Sequence, residues 1–160
     1  MTTAPQRNVS EAQALFNPAF GAYLLASGIN AAVKKAERPL PWPSAFLILP
    51  LVLPADTRSS LPTKSTVTLQ AWAHGHPRLR AAFAERAAAL TDYTRASLRT
   101  AMRHRAIDVA SSGLICPRIP KPASAAGEEV ADCVRAATLV GRWLAVTDPP
   151  RAFTALGVRP

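Results

Sequence analysis

The sequence is poor in several residue types on which common functions depend. Among its 160 residues there are two cysteines and seven glycines, and ten acidic residues stand against nineteen lysines and arginines. Two cysteines cannot build the disulfide framework of a small secreted domain. With so few glycines and no G-x-x-x-x-G-K-[ST] sequence, the chain has no loop that would cradle phosphates, so we expect it not to be an ATPase itself.

Metal-binding and catalytic patterns are also missing. His74 and His76 are neighbours, but neither they nor Cys116 and Cys133 have the paired spacing of a zinc site. The chain has no G-x-S-x-G sequence, and its acidic residues at 85–108 are better explained as helix caps and partners of nearby arginines. We therefore expect no catalytic residue, no metal, no cofactor, no small-molecule substrate and no enzymatic activity.

Long hydrophobic runs are absent too. The most apolar stretch, PLPWPSAFLILPLVLP at Pro39–Pro54, is broken by prolines and offers far fewer than the ~18 continuous apolar residues of a membrane helix. We interpret it as a buried helix that is kinked or ended at Pro50. The chain does not open with a basic region followed by an apolar one, so we expect a cytoplasmic protein without a signal peptide or membrane association.

What the sequence does contain is helical periodicity interrupted by fifteen prolines. Asn17 and Pro18 are typical of the cap and first position of a helix. A second amphipathic helix is predicted near the C-terminal end, with apolar residues at helical spacing from Val130 to Leu144. We expect the three tryptophans to be anchors of the core, with an interface as the alternative for some of them, rather than a platform for stacked bases. They are Trp42, Trp72 and Trp143.

Residues 78–119 have the element order of a winged helix. RLRAAFAERAAAL predicts one helix, and Thr91 or Asp92 caps a second one after a turn of roughly three or four residues. The predicted inner face of this second helix consists of Leu98, Ala101 and Met102. AIDV and LICPRI, separated by ASSG, then predict a β-hairpin. The expected fold class is mainly α (α+β): a helical bundle with a winged-helix-like segment, a helix-turn-helix plus a short β-hairpin.

The domain organisation follows from the length and the position of the turn-rich segments. At 160 residues the chain is near the usual size of one domain. We predict a flexible N-terminus at 1–16 and a single mostly helical domain at 17–160. Within that domain, 78–119 is the winged-helix-like segment and 120–127 is an internal linker.

Arginine dominates the charge of the chain. The net charge is +9, and fifteen of the nineteen basic residues are arginine, which suits contact with phosphate or with an acidic protein surface. Arg95, Arg99 and Arg103 recur every four residues and form a stripe on the second helix, with Arg105 just beyond it. These four arginines are candidates for contact with DNA or with an acidic partner. The alternative is a solvated helix face.

Five ordered strings resemble the middle component of bacterial three-component ABC systems. They are NPAF, FLILPLVLP.DTR..LP, FAERAAAL..YTR.SL, GRWLA and LGVRP, which together extend from Asn17 to Pro160. No single string is chemically unusual, so the resemblance rests on their combination. The family-motif positions are Asn17, Pro18, Phe83, Glu85, Arg86, Tyr93, Thr94, Gly141, Arg142, Trp143, Gly157 and Arg159.

The resemblance implies a non-enzymatic adaptor in a conflict system directed against phage and other mobile elements. Such an adaptor would link an SMC/RecN-like ABC ATPase to a third, effector component. The resemblance brings no catalytic residue. The arginine stripe would then touch DNA non-specifically within the complex, or face an acidic partner. The competing hypothesis is a stand-alone winged-helix DNA-binding regulator, which would recognise a symmetric operator by itself.

Overall fold

The described part of the chain is mainly helical and carries one two-stranded hairpin, which confirms the predicted fold class. The computed structural model describes residues 17–64, 66–119 and 127–159. In chain order the elements are α1 (Pro18–Ala36), a 3₁₀ helix (Trp42–Leu47), α2 (Ile48–Val52), α3 (Ala55–Ser60), α4 (Leu69–Gly75), α5 (Pro77–Ala89), α6 (Thr91–Arg103), β1 (Asp108–Ala110), β2 (Gly113–Ile115), α7 (Glu128–Ala145) and α8 (Pro149–Ala155). The predicted flexible N-terminus and residues 120–126 of the predicted linker lie outside the described residues.

Helix α1 is the centre of the bundle. Asn17 Oδ1 accepts a hydrogen bond from the N–H of Ala19 at 2.9 Å, and Pro18 occupies the first turn, as predicted. The helix ends where Glu37 takes the left-handed conformation and donates its N–H to the carbonyl of Val33. Between these ends α1 packs on α6 and on α7. Ten of its residues are buried, so it is apolar on more than one side, as a helix between two neighbours must be.

Glycines determine how closely α1 approaches these two neighbours. A Cβ atom added at Gly141 of α7 would collide with the backbone carbonyl of Gly28 on α1. At the contact between α1 and α6, a Cβ added at Gly21 of α1 would collide with the side chain of Ser97 on α6. Helix α1 therefore meets α7 backbone to backbone, and any side chain at these positions would force the helices apart.

The apolar stretch Pro39–Pro54 is largely buried, as predicted, although Trp42 is exposed, and it is not one helix kinked or ended at Pro50. It forms the 3₁₀ helix and then α2, which continues past Pro50 to Val52. Pro50 is tolerated because it lies in the first turn of α2, where backbone N–H groups have no acceptor within the helix. Residues 47–52 are all buried, and α2 packs against both α1 and α7.

The predicted order of helix, turn, helix and hairpin is present at 78–119, but the turn is shorter than predicted. Helices α5 and α6 are separated by Leu90 alone. The cap position is Leu90, one residue before Thr91 and two before Asp92, and neither of these side chains caps α6. Helix α5 is also more exposed than its apolar pattern predicts, since Phe83 is its one fully buried residue in the described structure.

The hairpin is attached to the body of the protein rather than projecting from it. Strands β1 and β2 pair antiparallel, with Val109 opposite Leu114. Leu114 also exchanges two backbone hydrogen bonds with Leu40, at 2.7 and 2.9 Å, in the loop that follows α1. The hairpin therefore lies beside α1, and this leaves the side chain of Val109 on the outside, 64% exposed.

Replacing Gly141 with alanine should lower the free energy of unfolding by about 1–3 kcal/mol, because α1 and α7 must separate to admit the methyl group. Gly75→Ala is the matched control, since nothing lies within 4 Å of the Cβ that it would add. We expect Gly75→Ala to be neutral or slightly stabilising, because alanine favours helix. Urea denaturation followed by circular dichroism measures both. Equal stability of the two variants would contradict the backbone contact.

Candidate functional site

The arginine stripe is exposed along α6, as its four-residue spacing predicts. Arg95, Arg99 and Arg103 all lie on the surface. Arg95 has the carboxylate of Asp92 at 3.5 Å, a solvent-exposed pair of the kind that contributes little stability. Within the described parts of the chain, the other two arginines of the stripe form no ion pair. The stripe is therefore available to a partner with negative charge.

Arg105 is exposed but does not belong to the stripe. It takes the left-handed conformation, with φ of 59°, immediately after α6 ends. The N–H of Ala106 donates to the carbonyl of Ala101 at 2.9 Å, and the N–H of Arg105 donates to the carbonyl of Met102 at 3.1 Å. This is the Schellman arrangement that ends many helices, usually with glycine at the left-handed position. Arg105 thus projects from a turn, apart from the α6 row.

The inner face of α6 differs from the predicted one. The residues that are buried on α6 are Thr94, Ser97 and Ala101. Small side chains are needed there because α1 comes close at Gly21. Ala101 is thus predicted correctly, but Leu98 is only half-buried and Met102 is 37% exposed. With about 100° between successive residues, Leu98 and Met102 lie between this inner face and the arginine stripe.

Exposed and half-buried apolar side chains lie beside the stripe. We call this the Trp42 surface, and its residues are Trp42, Phe46, Leu98, Met102, Val109 and Phe153. Trp42 is 64% exposed, whereas Trp72 and Trp143 are 4% and 2% exposed. The prediction that the tryptophans anchor the core is right for two of them and wrong for Trp42. An exposed apolar patch of this kind is typical of an interaction site.

Trp42 and Phe46 form a ridge between two grooves. Their rings meet edge to face with centroids 6.2 Å apart. One groove, of about 510 Å³, lies between this ridge, α6 and the hairpin. The other, of about 480 Å³, lies between the ridge and α8 and is flanked by Arg95 and Arg159. Among the described residues no acidic side chain lines either groove, so the surface combines apolar cavities with positive charge at one side.

Several family-motif positions hold the helices together at the start of α1. Tyr93 on α6 donates a hydrogen bond to the carbonyl of Asn17 at 2.8 Å. Burial raises the pKa of Tyr93, so the phenol stays protonated and able to donate. Thr94, the next motif position, is completely buried against α1. These residues position α6 on α1 and do not form a binding site.

Arg86 joins α5 to α3 through a two-pronged ion pair. Both of its terminal nitrogens donate to the two carboxylate oxygens of Asp56, each at 2.8 Å, and one also donates to the hydroxyl of Thr57. The Arg86 guanidinium holds the pKa of Asp56 below its ordinary value of 3.8. Of the two motif neighbours, Phe83 is buried in the core and Glu85 is exposed. This partly exposed ion pair attaches α5 to α3. In the described structure Phe83 is the one residue of α5 that is buried.

Arg58 is a structural residue that the sequence reasoning missed. Its side chain is 8% exposed and donates to Asp132 of α7 at 3.0 Å. One of its nitrogens also donates to the carbonyls of Val52 and Leu53, both at 2.9 Å, where α2 ends. Arg58 therefore satisfies helix-end carbonyls and binds α3 to α7. Its place in the DTR string beside Asp56 was the available signal.

The remaining motif positions lie in α7 and after α8. Gly141 makes the backbone contact with α1, and the indole N–H of Trp143 donates to the carbonyl of Val67 at 2.7 Å. Arg142 is exposed between them. Gly157 ends α8 with φ of 73°, a conformation that suits glycine, and so directs Arg159 to the second groove.

Metal ligands do not converge in the described regions of the chain. In those regions no three His, Cys, Asp or Glu side chains form a group that could hold a metal ion. His76 instead stacks on Trp72 with ring centroids 5.1 Å apart. Burial raises the pKa of the Cys116 and Cys133 thiols, which disfavours the reactive thiolate.

No described helix fits the requirements of a membrane-spanning helix. In residues 17–64, 66–119 and 127–159, no helix has both the length and the apolar character needed to cross a membrane.

Comparison with known proteins gives one match. The model of the family described as MC3, ABC-three component (ABC-3C) system Middle Component 3, matches residues 6–160. No curated protein sequence and no solved structure matches the chain.

Asp56→Asn should destabilise the protein at pH 7 by less than about 1 kcal/mol, because the pair with Arg86 is half exposed and screened by solvent. The pKa of Asp56 is lowered by folding, so its contribution is present above its ordinary value and disappears as the pH falls through the folded-state pKa. The stabilities of the wild type and Asp56→Asn should therefore converge in strong acid. Thermal melts between pH 2 and pH 7 measure this.

Asp92→Asn is the control for this titration, since the Asp92 carboxylate is exposed and its one ion pair in the described structure is the exposed pair with Arg95. It should change the melting temperature little at any pH. A difference between the wild type and Asp56→Asn that persists unchanged at low pH would contradict the assigned ion pair.

Proposed function

The chain belongs to the MC3 family of ABC-three component system middle components, and from this we propose that it is a non-enzymatic adaptor. It links an SMC/RecN-like ABC ATPase to a third, effector component in a bacterial conflict system directed against phage and mobile elements. It acts in the cytoplasm. The family match confirms the resemblance seen in the sequence, and the adaptor role is our extension of it.

The observation that carries the proposal is the Trp42 surface. Half of its six apolar residues are exposed in the isolated chain and the other half are partly buried, whereas the core is well covered, which favours a surface that another protein buries. Most family-motif residues with defined contacts cap helices, join helices or fill the core, and Arg159 lies at the second groove. An adaptor needs a stable frame and at least one docking face, and these observations support that role.

A second part of the proposal concerns Arg95, Arg99, Arg103 and Arg105. We propose that they contact DNA phosphates non-specifically within the assembled complex. Phosphate contact requires exposed cations without competing carboxylates, and most of these arginines meet that requirement. The stand-alone winged-helix regulator predicts instead that the chain alone binds one DNA sequence tightly.

The adaptor role predicts co-purification. Co-expressed with the ATPase and the third component of its own system, the chain should elute with at least one of them from a size-exclusion column at a constant ratio. An interface of roughly 800 Å² on each partner would account for such a complex. Separate peaks for all three components at micromolar concentration would exclude the adaptor role.

The DNA contact predicts a specific dependence on salt. Each lost phosphate contact flattens the slope of log K against log salt by about 0.9, so reversing Arg95, Arg99 and Arg103 to glutamate in the complex should reduce it by up to ~3. The control reverses three exposed arginines elsewhere, Arg38, Arg135 and Arg151, with the same change in net charge.

Equal slopes in the two triple variants would mean that total charge, and not the stripe, governs DNA binding. Tight binding of one symmetric sequence by the isolated chain would replace the adaptor with the regulator. Loss of co-purification without any change in DNA binding would mean that the stripe faces an acidic protein.

A further inference from the structure

We propose that the Trp42 surface binds an acidic, amphipathic α-helix of a partner protein, either the ATPase or the effector component. This inference rests on the proposed adaptor function and names the chemistry of its docking segment. Apolar side chains of the partner helix enter the two grooves on either side of the Trp42–Phe46 ridge. Acidic side chains on its flank pair with Arg159 and with Arg95, the residue at which this groove meets the arginine stripe that we assign to DNA.

The shape of the surface favours a helix. A helix presents side chains about 5–6 Å apart at i and i+3 or i+4, so neighbouring rows can straddle a ridge one aromatic ring wide. Each groove holds about 500 Å³ of space, which accommodates large apolar side chains. Strand addition is less suitable, because β1 offers an outer edge of only three residues.

The charge around the surface favours an acidic partner. Arg95 and Arg159 flank the second groove, and the row continues along α6 with Arg99 and Arg103. Asp92 is the one carboxylate within 4 Å of any of these arginines in the described structure. A partner helix with glutamate or aspartate beside its apolar face therefore gains ion pairs that the free chain leaves unmade.

Two other occupants fit the surface less well. In a symmetric dimer the same patch would meet itself, which would bring Arg95 and Arg159 of both copies together in a chain of net charge +9. Single-stranded nucleic acid would stack bases on Trp42, but among the described residues the groove beside the hairpin is lined by no cation that could follow the phosphates. A protein helix uses the apolar grooves and the arginines together.

Trp42 itself provides the assay. It is 64% exposed whereas the other two tryptophans are buried, so its fluorescence should shift to the blue when a partner covers it. The purified ATPase and effector components are titrated separately into the chain, and dissociation constants are measured by fluorescence and by calorimetry. Trp42→Phe should remove most of the spectral shift while retaining part of the affinity.

Three variants test the proposed contacts. Trp42→Ala should weaken binding by about 30-fold or more, as expected for an aromatic residue at the centre of an interface. Arg95→Glu combined with Arg159→Glu should weaken it by about tenfold in 0.1 M NaCl and by less in 0.5 M NaCl. If Trp42→Ala folds poorly in circular dichroism, Val109→Glu on the exposed hairpin replaces it and should also abolish tight binding.

The controls are exposed residues of the same types outside both grooves. Val146 is 68% exposed, and Arg135 and Arg151 have side chains that are 71% and 81% exposed. Val146→Ala and the double variant Arg135→Glu with Arg151→Glu should leave the dissociation constant within about twofold. Hydrogen exchange of the bound partner should show protection of one helix with acidic residues next to its apolar face.

The outcomes separate this inference from the adaptor role. If neither component binds the wild type, the adaptor role itself fails. If a component binds with equal affinity to the wild type and all surface variants, the adaptor role survives and the Trp42 surface is refuted as its dock. Protection of a basic segment or a loop in the partner, loss of self-association alone, or loss of DNA binding alone would each overturn the acidic helix as the occupant.

Discussion

The backbone contact between α1 and α7 at Gly28 and Gly141 constrains the rest of the structure. Because the two helices touch without intervening side chains, α1 is held deep in the bundle and must be apolar on more than one side. Helix α2 then packs on both members of this pair. On the α6 side, Gly21 requires a small residue opposite, and Ser97 supplies it.

This requirement for small residues has a consequence for the surface. Since α6 turns its small side chains toward α1, its larger apolar residues, Leu98 and Met102, are displaced toward solvent beside the arginine stripe. They meet Trp42 and Phe46 from the 3₁₀ helix, which itself is fixed by the buried run that follows. The same packing that seals the core thus builds an apolar surface next to positive charge.

Polar contacts complete the frame where apolar packing is thin. Helix α5 buries few side chains, and Arg86 adds two hydrogen bonds to the carboxylate of Asp56 on α3. Arg58 satisfies the carbonyls at the end of α2 while reaching Asp132 on α7. Both arginines belong to motif strings of the family, which indicates that these strings encode stability. The surface that we assign to a partner combines residues of these strings, such as Phe46, Leu98 and Arg159, with residues outside them, such as Trp42 and Val109.

Much of the fold could be predicted from the sequence because its signals are local. The cap of α1 by Asn17 and Pro18, the apolar periodicity of α7 and the order of two helices and a hairpin depend on neighbouring residues, and the family strings identified the family. The one-residue turn at Leu90 and the passage of α2 through Pro50 were mispredicted, since local preferences there yield to packing.

The sequence by itself determined the helical class, the spacing of the arginines along α6 and the membership of a family. Only the tertiary structure decided that Trp42 lies outside while Trp72 and Trp143 lie inside, and that Arg159 from the chain end joins Arg95 at one groove. The physical reason is that burial depends on which distant elements cover a side chain. Which elements lie next to each other is set by the close contacts of α1. One of these contacts joins Gly28 to Gly141, which are 113 positions apart in the sequence.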